Sequence, residues 1–228
     1  MADLDCAINA LLKQWKTKRS YKAFIADGIV SEEEYAKPHV LFVLREKNDP
    51  NPGDLREQLR TYGCVGKTWN NVARWTKALL DREEIYPKEI DRIPWLRKTA
   101  AINIKKEGGG SRAKWNEITD AAAEDREEIR QEITLCDPDI IIGCGLGNAV
   151  LLKEYVFGNS ASDWKDDLTS LSFQRKWQYY TVQINGKTVP VIDFCHPQVT
   201  NLEGRRGHAH LFEPLYRDML HIKDFFSI

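Results

Sequence analysis

The chain has 228 residues, of which 42% are hydrophobic and 29% are charged, a balance typical of a globular domain. No apolar run approaches the roughly 18 to 20 residues that a membrane span needs, and the acidic N-terminus lacks the pattern of a signal peptide. The 33 basic residues nearly balance the 34 acidic ones, so binding to nucleic acid would have to come from local clusters of charge. We therefore expect one cytoplasmic domain over residues 1–228, with no membrane association and no obligate protein partner.

The cysteines are widely scattered, and no two of them form the Cys-x-x-Cys pair of a zinc ribbon or an iron–sulfur site. Three histidines, His196, His208 and His210, are close in sequence. They lack an evident acidic fourth ligand and have arginines beside them, which disfavours a bound cation. We expect neither a metal ion nor a cofactor.

Residues 1–37 are predicted to form a helical extension that packs on the domain. Apolar residues recur at helical spacing over residues 4–15, and Ser31 followed by three glutamates is typical of a helix start. Residues 39–44 are almost wholly apolar, which predicts a strand buried on both faces. A polar loop over residues 45–54 follows this strand.

The middle of the chain alternates between helix and strand patterns. Apolar residues at helical spacing predict a helix over residues 69–80, and residues 99–104 form a second apolar run typical of a buried strand. A tract of lysines and glycines at residues 105–112 then leads into a long, heavily charged helix predicted over residues 114–135.

The last third contains a third buried strand, a glycine turn into a helix, an irregular insertion, a hairpin and a closing helix. In chain order these segments are residues 140–142, 143–155, 158–170, 177–194 around the turn Asn185-Gly186, and 211–226. Alternation of apolar strands with helices predicts an α/β fold. We expect a three-layer α/β/α sandwich with a mainly parallel central sheet of about four strands.

In an open α/β sheet, ligands bind beyond the carboxyl ends of the strands, so the loops that follow the predicted strands should meet at one cleft. The first loop brings two carboxylates, Glu46 and Asp49, and either would suit a general base or the stabilisation of a developing cation. The alternative is a solvated turn, because Asn, Asp and Pro are common in turns.

The second strand brings Asn103, whose amide offers a donor and an acceptor that suit the edge of a nucleobase. The alternative is a core amide that pairs with a neighbouring loop. The tract behind it contains Lys105, Lys106 and Arg112 among glycines. This composition favours phosphate binding, although the spacing is not that of a P-loop.

The glycine turn after the third strand is weak evidence for a dinucleotide site, because no acidic residue closes a second strand about 20 residues later. The last strand delivers His196, which Pro197 biases toward an extended backbone. A histidine held among cations such as Arg205 and Arg206 suits stabilisation of an anion. The alternative is a surface histidine in a turn.

Taken in chain order, these motifs resemble those of the uracil-DNA glycosylase superfamily. An apolar strand precedes the acidic loop with Glu46, the segment Cys64-Val65-Gly66 precedes a helix, and a strand ends with Asn103. A later strand begins with Pro-x-Ile-Ile, and the last strand delivers His196-Pro197. The resemblance spans roughly residues 38–225, and its specificity rests on the order of short motifs.

The resemblance implies a monofunctional DNA glycosylase, which flips a damaged base out of DNA and hydrolyses its N-glycosidic bond without metal or cofactor. It implies that Glu46 or Asp49 orients water, that Asn103 recognises the base, and that His196 stabilises negative charge on the pyrimidine O2. The other residues predicted to line the base pocket are Asn48, Tyr62, Cys64 and Trp69. The residues predicted to contact DNA are Lys105, Lys106, Arg112, Pro197, Gln198, Arg205 and Arg206.

The chain departs from the family pattern at three places. Cys64 occupies the position where the family stacks a phenylalanine on the base, Gln198 replaces a common serine, and the first loop around Glu46 and Asp49 is unusual. The stacking position and the first loop make a hypermodified cytosine of phage DNA a candidate substrate beside uracil, with a role in defence. The alternative is a non-catalytic nucleic-acid-binding protein that uses the same cleft. A serine hydrolase is disfavoured, because the chain has no Gly-x-Ser-x-Gly motif.

Overall fold

The computed structural model describes residues 4–64, 66–110, 113–206 and 210–228, and of Arg206 it describes the backbone alone. The helices are α1 (Leu4–Arg19), α2 (Leu55–Tyr62), α3 (Lys67–Asp81), α4 (Ile93–Arg97), α5 (Trp115–Glu124), α6 (Arg126–Cys136), α7 (Asn148–Leu151) and α8 (Phe212–Phe226). The strands are β1 (Ile25–Ala26), β2 (Gly28–Ile29), β3 (Val40–Leu44), β4 (Gly53–Asp54), β5 (Ala100–Asn103), β6 (Ile140–Cys144), β7 (Lys165–Thr169), β8 (Lys176–Ile184), β9 (Lys187–Phe194), β10 (Asn201–Leu202) and β11 (Arg205–Arg206). Among the described helices, none combines the length and the apolar character that crossing a membrane requires.

A seven-stranded sheet in the order β2-β5-β3-β6-β9-β8-β7 forms the centre of the molecule. Strands β5, β3, β6 and β9 are parallel neighbours, whereas β2, β8 and β7 each join the sheet in antiparallel pairing. The predicted α/β class is confirmed, but the prediction of about four mainly parallel strands is wrong. Strand β7 is exposed at every position except Leu168, so it lacks the apolar run that marks a buried strand.

Side chains alternate along the central strands, which gives the sheet two apolar faces. Phe42 and Ile142 pack in a core with residues of α2, α3, α4 and α8. Leu41 and Ile141 pack in a second core with residues of α1, α5, α6 and α7. Helices therefore cover both faces of the sheet, and the loops at the strand ends are left to form the site.

Residues 4–37 contribute to the sheet as well as packing against it. Strand β2 pairs with the edge of β5, and β1 forms a short parallel pair with β4. The prediction of a helix that starts at Ser31 is wrong. Only one turn forms there, in which the Tyr35 N–H donates to the Ser31 carbonyl at 2.9 Å. The carboxylate of Glu32 instead accepts the first backbone N–H groups of α1 at 3.1 and 3.0 Å and caps that helix.

The prediction of a single helix over residues 114–135 is also wrong, because two helices, α5 and α6, form there and meet at Asp125. Asp125 is fully buried, and its carboxylate accepts hydrogen bonds from the Tyr21 hydroxyl at 2.5 Å and from Arg19. This long-range contact holds the break without any local glycine or proline.

The predicted hairpin is confirmed, since β8 and β9 are antiparallel around a turn in which Asn185 and Gly186 have φ of 49° and 78°. The predicted irregular insertion at residues 158–170 is wrong in part, because strand β7 lies within it.

Candidate active site

The carboxyl ends of the parallel strands open into a cavity of about 770 Å³. Parallel register places Leu44, the last residue of β3, beside Asn103, the last residue of β5, so their loops leave the sheet together. The predicted site residues that line this cavity are Glu46, Asn48, Asp49, Cys64, Trp69, Asn103, His196 and Gln198. The structure thus brings these residues to one cavity, whereas their chemical roles stay predictions.

His196 is held as a neutral hydrogen-bond donor. The backbone N–H of Gln198 donates to its Nδ1 at 3.0 Å, which places the ring proton on Nε2. Burial among protein atoms, together with the charge of Arg45, lowers the pKa of His196 below its ordinary value of 6.5. The residue nevertheless keeps exposed surface in the cavity wall, so its Nε2–H is available to a ligand.

The His-Pro turn is anchored from within the protein. The buried side chain of Asn71 donates from Nδ2 to the carbonyl of Pro197 at 2.6 Å, and the Val199 N–H donates to the carbonyl of His196 at 2.8 Å. Pro197 is buried, so it supports the histidine instead of presenting the predicted surface to DNA, whereas Gln198 is exposed.

Asn103 is 2% exposed, and its polar groups are tied to a buried carboxylate. Its backbone N–H and its side-chain Nδ2 both donate to Oδ2 of Asp27, at 2.7 and 3.0 Å. The alternative of a core amide that pairs with a neighbouring segment is confirmed. Asn103 also lines the cavity, and its recognition of a base stays a prediction. The pattern around Asn103 gave no sign of Asp27, which lies 76 residues away in sequence.

Glu46 is enclosed by the glycine tract that follows β5. Its side chain is 5% exposed, and Lys105 donates to its Oε2 at 3.0 Å. A Cβ at Gly109 would lie 2.1 Å from Oε1 of Glu46, so a side chain there would displace the carboxylate. The Gly109 N–H donates to the carbonyl of Lys47 at 2.9 Å. Gly109 therefore holds the first loop. From the sequence we predicted phosphate binding for this glycine tract, and not this contact.

Asp49 lines the same cavity, but its carboxylate is used within its own loop. It accepts the backbone N–H of Asn51 at 3.0 Å and pairs with Lys47 at 3.0 Å. The Asn51 hydrogen bond, with help from Lys47, lowers the pKa of Asp49. This is the turn that the alternative predicted, whereas the side chain of Glu46 is held by Lys105, outside its own loop.

Arg45 is a cavity residue that we did not single out from the sequence. Its Nη2 donates to the Leu146 carbonyl at 2.9 Å, its Nε donates to Oδ1 of buried Asn148 at 3.3 Å, and its guanidinium lies 5.2 Å from the centre of the Trp115 ring. Within the described ranges no carboxylate forms an ion pair with it. The sequence signal that could have identified Arg45 as a cavity residue is its position directly after an apolar strand.

The aromatic and thiol candidates separate into two groups. Trp69 is partly buried and lines the cavity, and so does Cys64, where burial raises the pKa of the thiol. Tyr62 lies at the end of α2, is 70% exposed and is not among the residues of the cavity wall. The described aromatic side chain that faces the cavity is therefore that of Trp69.

The prediction that Lys106 contacts DNA is wrong. Its side chain is fully buried, its ammonium group is paired with Asp27 and with Glu132, and it lies 4.8 Å from the centre of the Trp15 ring. A buried lysine requires such partners, because an unpaired charge in the core is strongly unfavourable.

The remaining DNA-contact candidates lie in several places. Lys105 donates to Glu117 as well as to Glu46. Burial opposes its charge, but the two carboxylates outweigh this and raise its pKa. Arg205 lies over the Phe173 ring at 5.1 Å and lines a separate surface pocket. Arg112 and the side chain of Arg206 lie outside the described residues.

Among the residues that the structure describes, no group of three or more His, Cys, Asp or Glu side chains is arranged to hold a metal ion. Of the histidines considered for such a site, His208 lies outside the described ranges.

Comparison with known proteins adds no relative to this picture. No protein-family model matches the chain, and no curated protein is significantly similar to it. The likeness to the uracil-DNA glycosylase superfamily therefore stands on the order of the motifs alone.

Proposed function

We propose that this protein is a monofunctional DNA glycosylase. It would flip a modified or damaged pyrimidine out of DNA and hydrolyse its N-glycosidic bond, in repair or in defence against phage. The observation that carries the proposal is the convergence of His196, Glu46 and Asn103 on one cavity. A neutral donor, an enclosed carboxylate and a tethered amide are the groups that this reaction needs.

His196 would stabilise the departing base. Cleavage of the bond between N1 and C1′ leaves the electron pair on the pyrimidine, and negative charge collects on O2. The Nε2–H of His196 supplies a hydrogen bond to that oxygen, with its direction fixed by the Gln198 N–H on the other ring nitrogen. One preorganised donor of this kind is worth roughly 10²–10³ in rate.

Glu46 would act on the sugar side of the same bond. Positive charge develops on C1′ as the base leaves, and an enclosed carboxylate stabilises it more strongly than a solvated one. The same carboxylate orients a water molecule, whose oxygen bonds to C1′ and whose proton passes to the carboxylate. The released base takes up a proton from solvent. The enclosed position of Glu46 supports this role over Asp49, whose oxygens are held by Asn51 and Lys47.

The cavity wall supports a flipped pyrimidine as the ligand. Trp69 offers an aromatic face for stacking, and Arg45 and Lys47 add positive charge suited to the DNA backbone. The volume of about 770 Å³ lies in the upper part of the range of roughly 300–1,000 Å³ for small-ligand sites, which leaves room for a substituted base. Uracil and a hypermodified cytosine are the two candidate substrates.

Base release tests the proposal directly. Purified protein would be incubated with single- and double-stranded oligonucleotides that contain uracil, a thymine mismatch or modified cytosines, and with phage genomes. Mass spectrometry would then detect the free base. We expect release of at least one pyrimidine, with alkali-labile abasic sites in the DNA, and release from none of the substrates would refute the function.

Matched variants assign the roles. Glu46→Gln and His196→Ala should each lower base release by about 10²–10⁴, which is the range for a catalytic acid, base or oxyanion donor. Asp49→Asn changes a carboxylate in the same loop and should keep at least a tenth of the activity. Equal losses in the Glu46 and Asp49 variants would show that neither carboxylate has the assigned role.

A second candidate is a nucleic-acid-binding protein without catalysis. The ion pair between Lys105 and Glu46 favours it, because the ammonium group occupies a carboxylate oxygen that would otherwise bind water. In that case Glu46→Gln would bind DNA as well as the unaltered protein does, and no substrate would acquire abasic sites.

A further inference from the structure

A chain of buried polar groups runs from the cavity into the protein interior. Asn103 donates from Nδ2 and from its backbone N–H to Oδ2 of Asp27. The other oxygen of Asp27 accepts from Lys106, and Lys106 donates to Oε2 of Glu132 at 2.6 Å. Asp27, Lys106 and Glu132 have no exposed surface.

This arrangement fixes which way the Asn103 amide points. A carboxylate only accepts hydrogen bonds, so the NH₂ group of Asn103 must face Asp27. Turning the amide over would place its oxygen against a carboxylate oxygen and lose a buried hydrogen bond. In the described part of the chain no donor reaches Oδ1 of Asn103, which lines the cavity.

We infer that Asp27 is a positioning residue, which fixes the order of donor and acceptor that Asn103 presents to the base. The inference rests on the proposed glycosylase function. Uracil and cytosine differ in this order, because uracil carries a carbonyl and a ring N–H where cytosine carries an amino group and a bare ring nitrogen. A fixed amide matches one order, whereas an amide free to turn matches both.

Lys106 and Glu132 hold Asp27 in place. Lys106 also lies against the Trp15 ring, so it cannot move to pair elsewhere without opening the core. The position of Asp27 is therefore set by α1 and α6, two helices that contribute none of the residues of the cavity wall.

The variant Asp27→Asn is the sharpest test. Because Lys106 needs an acceptor, the introduced amide turns its oxygen to Lys106 and its NH₂ group to Asn103. This loses the hydrogen bond of the Asn103 backbone N–H and favours the reversed orientation of the Asn103 side chain. The measurement is kcat/KM for release of uracil and of cytosine from otherwise identical oligonucleotides. Whichever base the unaltered protein prefers, we expect the ratio of the two values to fall by about tenfold or more in the variant.

The matched control is Asp218→Asn, which changes an equally buried aspartate in α8 whose described hydrogen-bond partners, Ser170, Leu171 and Trp177, do not line the cavity. It should weaken the fold and leave the ratio unchanged. A folded Asp27→Asn protein with the ratio of the unaltered protein would overturn the inference, and so would an equal fall in the control.

A second measurement keeps the inference testable if Asp27→Asn does not fold. In the ¹⁵N spectrum of the unaltered protein, the side-chain amide of Asn103 should be protected from hydrogen exchange, with its signal identified by its loss in Asn103→Asp. Rapid exchange of both amide hydrogens would overturn the proposed orientation. If the unaltered protein releases no base, the glycosylase function fails and the selectivity role fails with it, while the protected amide still reports on the orientation.

Discussion

Two fully buried aspartates, Asp27 and Asp218, lie at opposite edges of the sheet and are held by different kinds of partner. Asp218 accepts hydrogen bonds from neutral donors, namely the Ser170 hydroxyl at 2.6 Å, the Trp177 indole at 2.8 Å and the Leu171 N–H at 2.9 Å. Burial raises the pKa of Asp218 although these donors oppose the shift. This cluster fastens α8 to the antiparallel edge.

The Asp27 cluster contains charged partners and an incomplete set of hydrogen bonds. Lys106 is paired with two carboxylates, and Oε1 of Glu132 is buried without a partner in the described structure. Neutral donors would have satisfied Asp27 with less desolvation, as they do for Asp218. The Asp27 cluster therefore ends at a residue of the cavity, whereas the Asp218 cluster joins α8 to the sheet.

The largest effect is expected from Lys106→Met. Removing the ammonium leaves the charge of Asp27 buried without a cation, and breaking a buried ion pair in this way costs about 3–5 kcal/mol. Urea denaturation should show this loss of unfolding free energy. Adding Asp27→Asn to the same chain removes the stranded charge and should recover part of the loss. If the unfolding free energy of Lys106→Met alone lies within about 1 kcal/mol of that of the unaltered protein, the result contradicts the charged nature of this cluster.

A smaller loss of stability is expected for Asp218→Asn. The introduced amide keeps one acceptor and turns a donor toward one of the groups that donated to the carboxylate. An unsatisfied buried group costs about 1–3 kcal/mol, less than the stranded charge of the Lys106 variant. Urea denaturation of the two variants in parallel gives the comparison. If Asp218→Asn loses more unfolding free energy than Lys106→Met, the expected order of the two effects is wrong.

The central strands were predictable because burial on both faces leaves a run of apolar residues. Strand β7 was not, because an exposed edge strand with the sequence Lys-Asp-Asp-Leu-Thr has no such run. Strand β2 has two residues and exists through its pairing with β5. The break at Asp125 depends on Arg19 and Tyr21, more than 100 residues away, so no local pattern marks it.

The cavity residues were predictable because the ends of parallel strands meet at one edge of the sheet. Lys106 was not, although it is adjacent to Lys105 in the same polar tract. Its partners Asp27 and Glu132 lie 79 and 26 residues away, and a pattern read along the tract cannot distinguish a solvated lysine from a buried one. Asp27 was missed for the same reason.

The most gradual effect, smallest for any single step of pH, concerns the proton on Glu132. Burial raises its pKa from 4.5 to about 8, although Lys106 opposes the shift and Asp27 adds to it. The buried groups that face it are Asp27, Lys106 and Cys136, with Arg56 near the last of these. Between pH 4.5 and about 8 the folded protein therefore keeps a proton that the unfolded chain has lost.

The contribution of Glu132 to the unfolding free energy should be highest below this window and should fall as the pH rises through it, by at most about 1.4 kcal/mol per pH unit for one proton. Urea unfolding at several pH values between 5 and 8.5 would measure the slope. Glu132→Gln cannot titrate and should flatten the curve, whereas Glu127→Gln, an exposed position on the same helix, should keep it. Parallel curves for the unaltered protein and Glu132→Gln would mean that Glu132 is ionised throughout. The Asp27 cluster would then carry a net negative charge, and Asn103 would be anchored by two full carboxylates sharing one lysine.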